Sequence, residues 1–201
     1  MTGVSAKRAV VRLVLFARLP EPGKAKTRLI PSLGAVGAAR LHAQLVERSI
    51  SVIGAARHDF ELQYTGGTDQ AFKAWLGNEI VLIPQTDGDL GDRLLAAIRP
   101  APVIFFGADI PDLSTEIVQA AVCALQTHEV VIGPAVDGGY YLIGMRSALP
   151  FLFDNMPWGG EKVFAETCAR LAEREIVPAL LDPLHDCDRP EDLTRWPWLT
   201  A

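Results

Sequence analysis

The stretch FARLPEPGKAKTRL, residues 16–29, sets four cations, Arg18, Lys24, Lys26 and Arg28, around a single glycine, Gly23. It follows the first apolar run of the chain. Gly23-Lys24 resembles the end of a P-loop, but Arg18 stands where that motif has its first glycine. Ala25 follows the lysine where a Ser or Thr would hold magnesium. What remains is a cationic loop in which Gly23 lets the backbone come close and the four side chains supply charge. Phosphate oxygens are the natural ligand of such a loop.

Acids and amides follow other apolar runs. In FFGADIPDLS, Asp109 stands directly after residues 102–107, beside the small Gly107 and Ala108. A hard cation such as Mg2+ or Mn2+ takes one or two carboxylates together with a ligand's phosphate oxygens, so Asp109 is a candidate metal ligand. Asp112 reads as part of the turn into a helix capped by Ser114. LHDCDRPEDL places His185, Asp186, Cys187 and Asp188 in a row. Neighbours in an extended segment point opposite ways, so the usable pairs are His185 with Cys187 or Asp186 with Asp188. The acid pair suits magnesium, although Asp188 also fits a helix cap ahead of Pro190. GPAVDGGYYLIG reads as a hairpin about Asp137-Gly138-Gly139, with its two tyrosines on opposite faces of the next strand so that one can line a cleft. In PQTDGDLGDRL, Gln85 carries both a donor and an acceptor, as reading a nucleobase edge requires. Asp89 or Gly91 starts the following helix, whose first amides can face the ligand.

These side chains need a frame. Runs at 9–17, 60–66, 79–85, 102–108, 129–135 and 140–145 have strand character, and 35–57, 68–76, 90–99 and 114–127 have helical spacing. A helix at 160–174, a strand at 176–181 and a turn of helix at 190–196 complete the expectation. The alternation implies a mostly parallel, Rossmann-like sheet in a three-layer αβα sandwich, with 140–145 too close to its predecessor for a helical crossover. Ligands in such sheets bind beyond the carboxyl ends of the strands, where the clusters fall. With no linker or repeat, residues 1–201 read as a single domain.

Composition limits the function. The net charge of −5 argues against binding nucleic acid through bulk charge. Residues 7–28 nevertheless hold seven of the 19 Lys and Arg, and 182–192 hold five acids. Three scattered cysteines fit reduced thiols in the cytoplasm. The N-terminal AVVRLVLFA is short and broken by Arg12, a buried strand instead of a signal peptide or a membrane span. The closing WPWLT is expected to cover the sheet.

Taken together, the five blocks resemble those of small bacterial GT-A-like glycosyltransferases of the radical-SAM/selenodomain-associated type, from about Val10 to Leu193. They bear a more distant likeness to nucleotidyltransferases. The resemblance implies the fold of the nucleotide-diphospho-sugar transferases. It implies that Lys24, Lys26 and Arg28 hold phosphates, that Gln85 lies where the base is recognised, and that Asp109 pairs with Asp186 or Asp188 on Mg2+ or Mn2+. Gly107 replaces the first acid of the Asp-x-Asp metal motif. Gly159 and Gly160 follow Trp158 where a hydroxyl residue is expected.

Three functions follow. The first is transfer of a sugar from a nucleoside-diphosphate sugar to a small-molecule acceptor, with Asp137 as base and Glu161 as the second choice. The second is nucleotidyl transfer from a nucleoside triphosphate to a phosphorylated small molecule, releasing pyrophosphate. The third is nucleotide binding without turnover. The single glycine of the basic loop favours a diphosphate donor, and hence the first.

Overall fold

The computed structural model describes residues 10–200. The basic N-terminal residues and the first residue of the 9–17 run lie outside them. Among the described residues, seven strands form one sheet in the order β3-β2-β1-β4-β6-β5-β7. The strands are β1 Arg12–Arg18, β2 Asp59–Thr65, β3 Val81–Pro84, β4 Val103–Gly107, β5 Val130–Pro134, β6 Tyr140–Met145 and β7 Ala179–Leu180. β1 pairs in parallel with both β2 and β4, β2 with β3, and β5 with β7. β6 alone is antiparallel, wedged between β4 and β5. The short link from β5 leaves it no other direction, since a parallel strand needs a long crossover.

Among the described residues, five α-helices cover the sheet: α1 Ile30–Ala55, α2 Asp69–Leu76, α3 Leu90–Ala97, α4 Thr115–Ala124 and α5 Val163–Ala172. On one face Val46 and Ile53 of α1, Phe72 of α2 and Val118 and Ala121 of α4 pack against Leu13, Leu15, Ile104 and Phe106. On the other, Leu94 of α3 and Leu171 of α5 join Leu152 and Phe153 against Val14, Phe105 and Ile143. Strands apolar on both sides are what a sheet between two helical layers requires. The expected three-layer α/β sandwich is thus the observed one.

Boundaries follow local chemistry. α1 starts before the expected residue 35 but is kinked at Gly34, which is not helical, so the expected start marks the kink. Asp89 and Asp92 form a reciprocal cap on α3, and Ser114 accepts from the Ile117 amide to start α4. α5 begins at Val163, later than 160, and 190–195 is a 3-10 helix. The WPWLT segment does not cover the sheet. Trp196 and Leu199 instead join Leu29, Leu41, Leu45 and Cys187 in a third apolar cluster against α1 and the basic loop. Leu41 and Leu45 recur at helical spacing on the side of α1 that faces away from the strands, and this second stripe needs its own cover.

Candidate functional site

The third cluster places the basic loop. Ala25 and Leu29 are buried, and between them Lys26 adopts a left-handed backbone (φ 47°, ψ 46°) that turns its side chain inward. Opposite, Leu184 bonds the Pro134 carbonyl and the Val136 amide bonds that of Leu184, laying the late segment along the end of β5. The Cys187 amide then donates to the Asp109 carbonyl at 2.9 Å, joining this segment to the end of β4.

Three stretches far apart in sequence meet here. Lys26 Nζ lies 2.8 Å from Asp109 Oδ1 and 3.6 Å from Asp188 Oδ1, and it donates to the Cys187 carbonyl at 2.7 Å. The Lys26 side chain is only 4% exposed, whereas that of Asp109 is 48% exposed. Arg28 pairs with the other oxygen of Asp188. Burial opposes charge on both partners of the Lys26–Asp109 pair, but their mutual attraction and hydrogen bond prevail. The Asp109 carboxyl is held below its ordinary pKa and the Lys26 ammonium above its own. Asp188 does not cap the 3-10 helix. Asp192 does, accepting from the Asp188 and Arg189 amides at 3.0 and 2.7 Å, which leaves the Asp188 carboxylate to the cations.

Beside this knot opens a cleft of about 690 Å³. Its walls include Asp137, Glu161, Asp186, Asp188, Glu191 and Asp192, against the cations Arg28 and Arg189. Tyr140, Trp158 and Leu90 supply the apolar part. Burial and the nearby charge of Asp137 raise the pKa of Asp186. Asp137 accepts from the Gly139 amide at 2.9 Å and shapes the hairpin turn. That turn is joined to the start of α5, just after the Trp158–Glu161 loop, through the Phe164 amide, which donates to the Gly138 carbonyl at 2.9 Å. Of the two tyrosines, Tyr140 lines the cleft, while Tyr141 lies across Gly133 with its hydroxyl on the Asp182 carbonyl. Gly107, in the place of the first motif acid, opens instead onto a small apolar pocket with Phe16, Phe105 and Leu94.

The other candidates are more dispersed. Arg18 lies across Gly66 and makes no ion pair among the described residues. Lys24 pairs with Glu21 at the surface, an interaction of little strength. Gln85 spends its donor on the Gln63 carbonyl at 2.7 Å and its acceptor on Arg93 at 3.4 Å, so both ends of its amide are engaged. Asp89, not Gly91, caps α3. Gly91 is buried where an added Cβ would lie 2.7 Å from both the Phe153 carbonyl and Trp158 Nε1. Asp112 accepts from Trp196 Nε1 at 2.9 Å and so anchors the C-terminal cluster.

Sequence reading missed His42. Buried on α1, it donates from Nε2 to the Arg18 carbonyl at 3.0 Å. Burial lowers its pKa, only partly offset by Asp109. Its one signal is a histidine on the inner face of a helix, which many core histidines share.

The sequence profile of the family described as "Uncharacterized protein conserved in bacteria (DUF2064)" matches residues 48–160, more than half of the chain. The chain belongs to this family. Among solved structures, this DUF2064 member is similar to one from Desulfovibrio desulfuricans G20 that carries the provisional description nucleotide-diphospho-sugar transferase. The identity is 35%, the coverage 89% of this chain and 82% of that one, and the TM-score 0.85. It is 34% identical over 110 residues to 3-phospho-D-glycerate guanylyltransferase of Phenylobacterium zucineum (strain HLK1), covering 49% of this chain and 47% of that protein. The chain thus matches about half the length of that curated relative. Glucosyl-3-phosphoglycerate synthase of Mycobacterium tuberculosis, solved with Mg2+ and uridine diphosphate, shares the fold at 12% identity. It covers 92% of this chain and 74% of its own, with a TM-score of 0.52. The fold is that of the nucleotidyl and glycosyl transferases. None of the three descriptions mentions radical-SAM or selenodomain association, which rests on the signature blocks alone.

Proposed function

We propose that this protein is a metal-dependent transferase acting on a nucleotide-activated donor, and that it moves a sugar from a nucleoside-diphosphate sugar to a hydroxyl of a small acceptor in the cytoplasm. The observation that carries the reading is the meeting of Asp109, Asp188 and the cationic loop at the carboxyl end of the sheet, beside a cleft large enough for a substrate.

Mg2+ or Mn2+ fits this donor set. Asp109 and Asp188 already share one cation, the Lys26 ammonium, in a setting of oxygen atoms. Among the described residues no group of three or more His, Cys, Asp or Glu is arranged to hold a metal. Two carboxylates plus phosphate oxygens is the way magnesium is bound with nucleotides. When bound, the ion would offset charge building on the leaving diphosphate. Asp109 and Asp188, with Asp186 as the other late candidate, would hold it. Arg18, Lys24, Lys26 and Arg28 would neutralise the remaining phosphate charge, and Gln85 and Gly91 keep the base-side role assigned from the sequence, for which Gln85 would give up its contact with Gln63 or Arg93. Asp137, with Glu161 in reserve, takes the proton of the acceptor hydroxyl as its oxygen bonds the anomeric carbon. The bond from that carbon to the diphosphate oxygen breaks, and the nucleoside diphosphate leaves with the electron pair.

The charge of the cleft favours sugar transfer. A phosphorylated acceptor would face Asp137, Glu161 and Asp186 in a cleft whose acids outnumber its cations Arg28 and Arg189, and Arg28 is already given to Asp188 and the donor. A hydroxyl acceptor finds in those carboxylates only hydrogen-bond acceptors, which suits it. The stretch similar to 3-phospho-D-glycerate guanylyltransferase favours the second reading, nucleotidyl transfer. A thermal-shift panel decides between them. UDP-, GDP- and ADP-sugars should raise the melting temperature with Mg2+ present and not in EDTA, and more than the matching triphosphates. Pyrophosphate released from a triphosphate and 3-phospho-D-glycerate would establish the second reading instead, and equal shifts in EDTA would remove the metal.

A further inference from the structure

The Lys26 ammonium occupies the ground that a divalent cation would need. Its nearest acceptors are Asp109 Oδ1 at 2.8 Å, the Cys187 carbonyl at 2.7 Å and Asp188 Oδ1 at 3.6 Å. Two carboxylates and a carbonyl form an all-oxygen set, the ligand chemistry of hard cations. An ammonium offers three hydrogens on a flexible four-carbon stem; here Asp109 and the Cys187 carbonyl lie at hydrogen-bond distance and Asp188 at ion-pair distance. The side chain is enclosed at 4% exposure, and the left-handed backbone at φ 47° commits it inward. While it holds this place, Lys26 cannot also reach a diphosphate in the cleft.

We propose that Lys26 is a resident placeholder for the metal. Its ammonium keeps the two carboxylates together before the donor arrives, and moves onto the phosphate oxygens when cation and diphosphate enter together. A divalent ion alone would have to expel a buried ammonium from its closest anionic partners, Asp109 and Asp188, with no phosphate to receive it. A diphosphate supplies both the extra oxygens for the metal and the new partner for the lysine. Metal and diphosphate therefore bind with positive coupling, which linkage makes reciprocal. The proposal rests on the metal-dependent reading above and adds to it a coupling between metal and diphosphate set by one side chain.

The test uses Mn2+ alone, with free ion followed by electron paramagnetic resonance, on the wild-type protein and Lys26→Met. The variant should bind Mn2+ about tenfold or more tightly than wild type, because the competing charge is gone. Equal or weaker binding overturns the placeholder. If the variant is unfolded without metal, Mn2+ should restore a melting transition in it while leaving that of wild type unmoved. The wild-type protein gives an independent measurement in the 15N resonance of the Lys26 ammonium. It should stay in place under Mg2+ alone and move when Mg2+ and pyrophosphate are added together. A resonance that ignores the pair, or responds fully to Mg2+ alone, overturns the proposal without reference to the variant. Failure of both proteins to take up Mn2+ even with pyrophosphate would instead strike the metal assignment itself.

Discussion

Two glycines in neighbouring loops separate backbone strain from the contact that holds the cleft together. Gly138 has φ 92° and Gly159 φ 80°, both in the region that side-chain-bearing residues avoid. A Cβ on Gly159 meets no atom within 4 Å, whereas one on Gly138 would lie 2.1 Å from the Glu161 carbonyl oxygen and 2.6 Å from its carbon. Gly159→Ala should therefore lose only the left-handed penalty, about 1–2 kcal/mol. Gly138→Ala carries the same penalty and must also drive the Glu161 backbone away by about an ångström, which adds roughly 1–3 kcal/mol of overpacking. Urea unfolding of the two variants measures the difference, and near-ultraviolet circular dichroism shows whether Trp158 keeps its environment. At this chain length each 1 kcal/mol is worth about 2–4 °C in melting temperature. Gly138→Ala should also weaken turnover through displacement of Glu161, and more so than Gly159→Ala, whose methyl displaces no neighbour at the cleft wall. Equal stability losses in the two variants would refute the packing of the hairpin turn against the Glu161 loop.

Other expectations are simpler. His42 has its folded pKa below the ordinary 6.5 because burial disfavours its charged form. In the window just below 6.5 the unfolded chain takes a proton that the folded one refuses. Stability should be full above it and fall as the pH drops through it, and His42→Gln should flatten that slope in urea midpoints. Burial, outweighing the pull of Lys26, pushes the Cys187 thiol up to about 11, whereas Cys123 is exposed. Maleimide at pH 7 followed by intact mass should label Cys123 first and Cys187 only in denaturant. Asp112→Ala leaves the buried Trp196 Nε1 without its acceptor and should cost about 1–3 kcal/mol, whereas Asp112→Asn, which keeps an oxygen there, should cost less. Neither should change Mn2+ binding.

Much of the architecture was legible because strands and helices write their periods locally. The run at 102–108 is apolar at every position since β4 is covered on both faces, and the closeness of 129–135 to 140–145 left an antiparallel strand or a move to another part of the sheet, of which β6 is the first. Segments whose order depends on distant partners were harder. β7 has only two residues, held by β5, and the expected run of 176–181 could not show how few would pair. WPWLT was assigned to the sheet because its apolar residues carry no address. Their true partners, Leu41 and Leu45, form a second stripe on a helix already counted as covering the strands.

The candidate site divides along the same line. The pairing of Asp109, after β4, with a late aspartate, after β7, was implied by the family resemblance, but which of the two late acids turns toward Asp109 was not. That choice is made by the Asp192 carboxylate, which takes the Asp188 and Arg189 amides and so frees Asp188 from the capping role its sequence suggests. Lys26 illustrates the opposite case. Four cations in one loop look equivalent in sequence, and all four suit phosphate. The fold distinguishes them by burial: Lys24 lies against Glu21 at the surface, Arg18 crosses Gly66, Arg28 reaches the outer oxygen of Asp188, and Lys26 is drawn inside between two acids. A loop that reads as a uniform anion trap is therefore a graded set of charges. Its most enclosed member is bound to the carboxylates the metal would need, and on the proposed reading this side chain alone would couple the phosphate loop to the metal site.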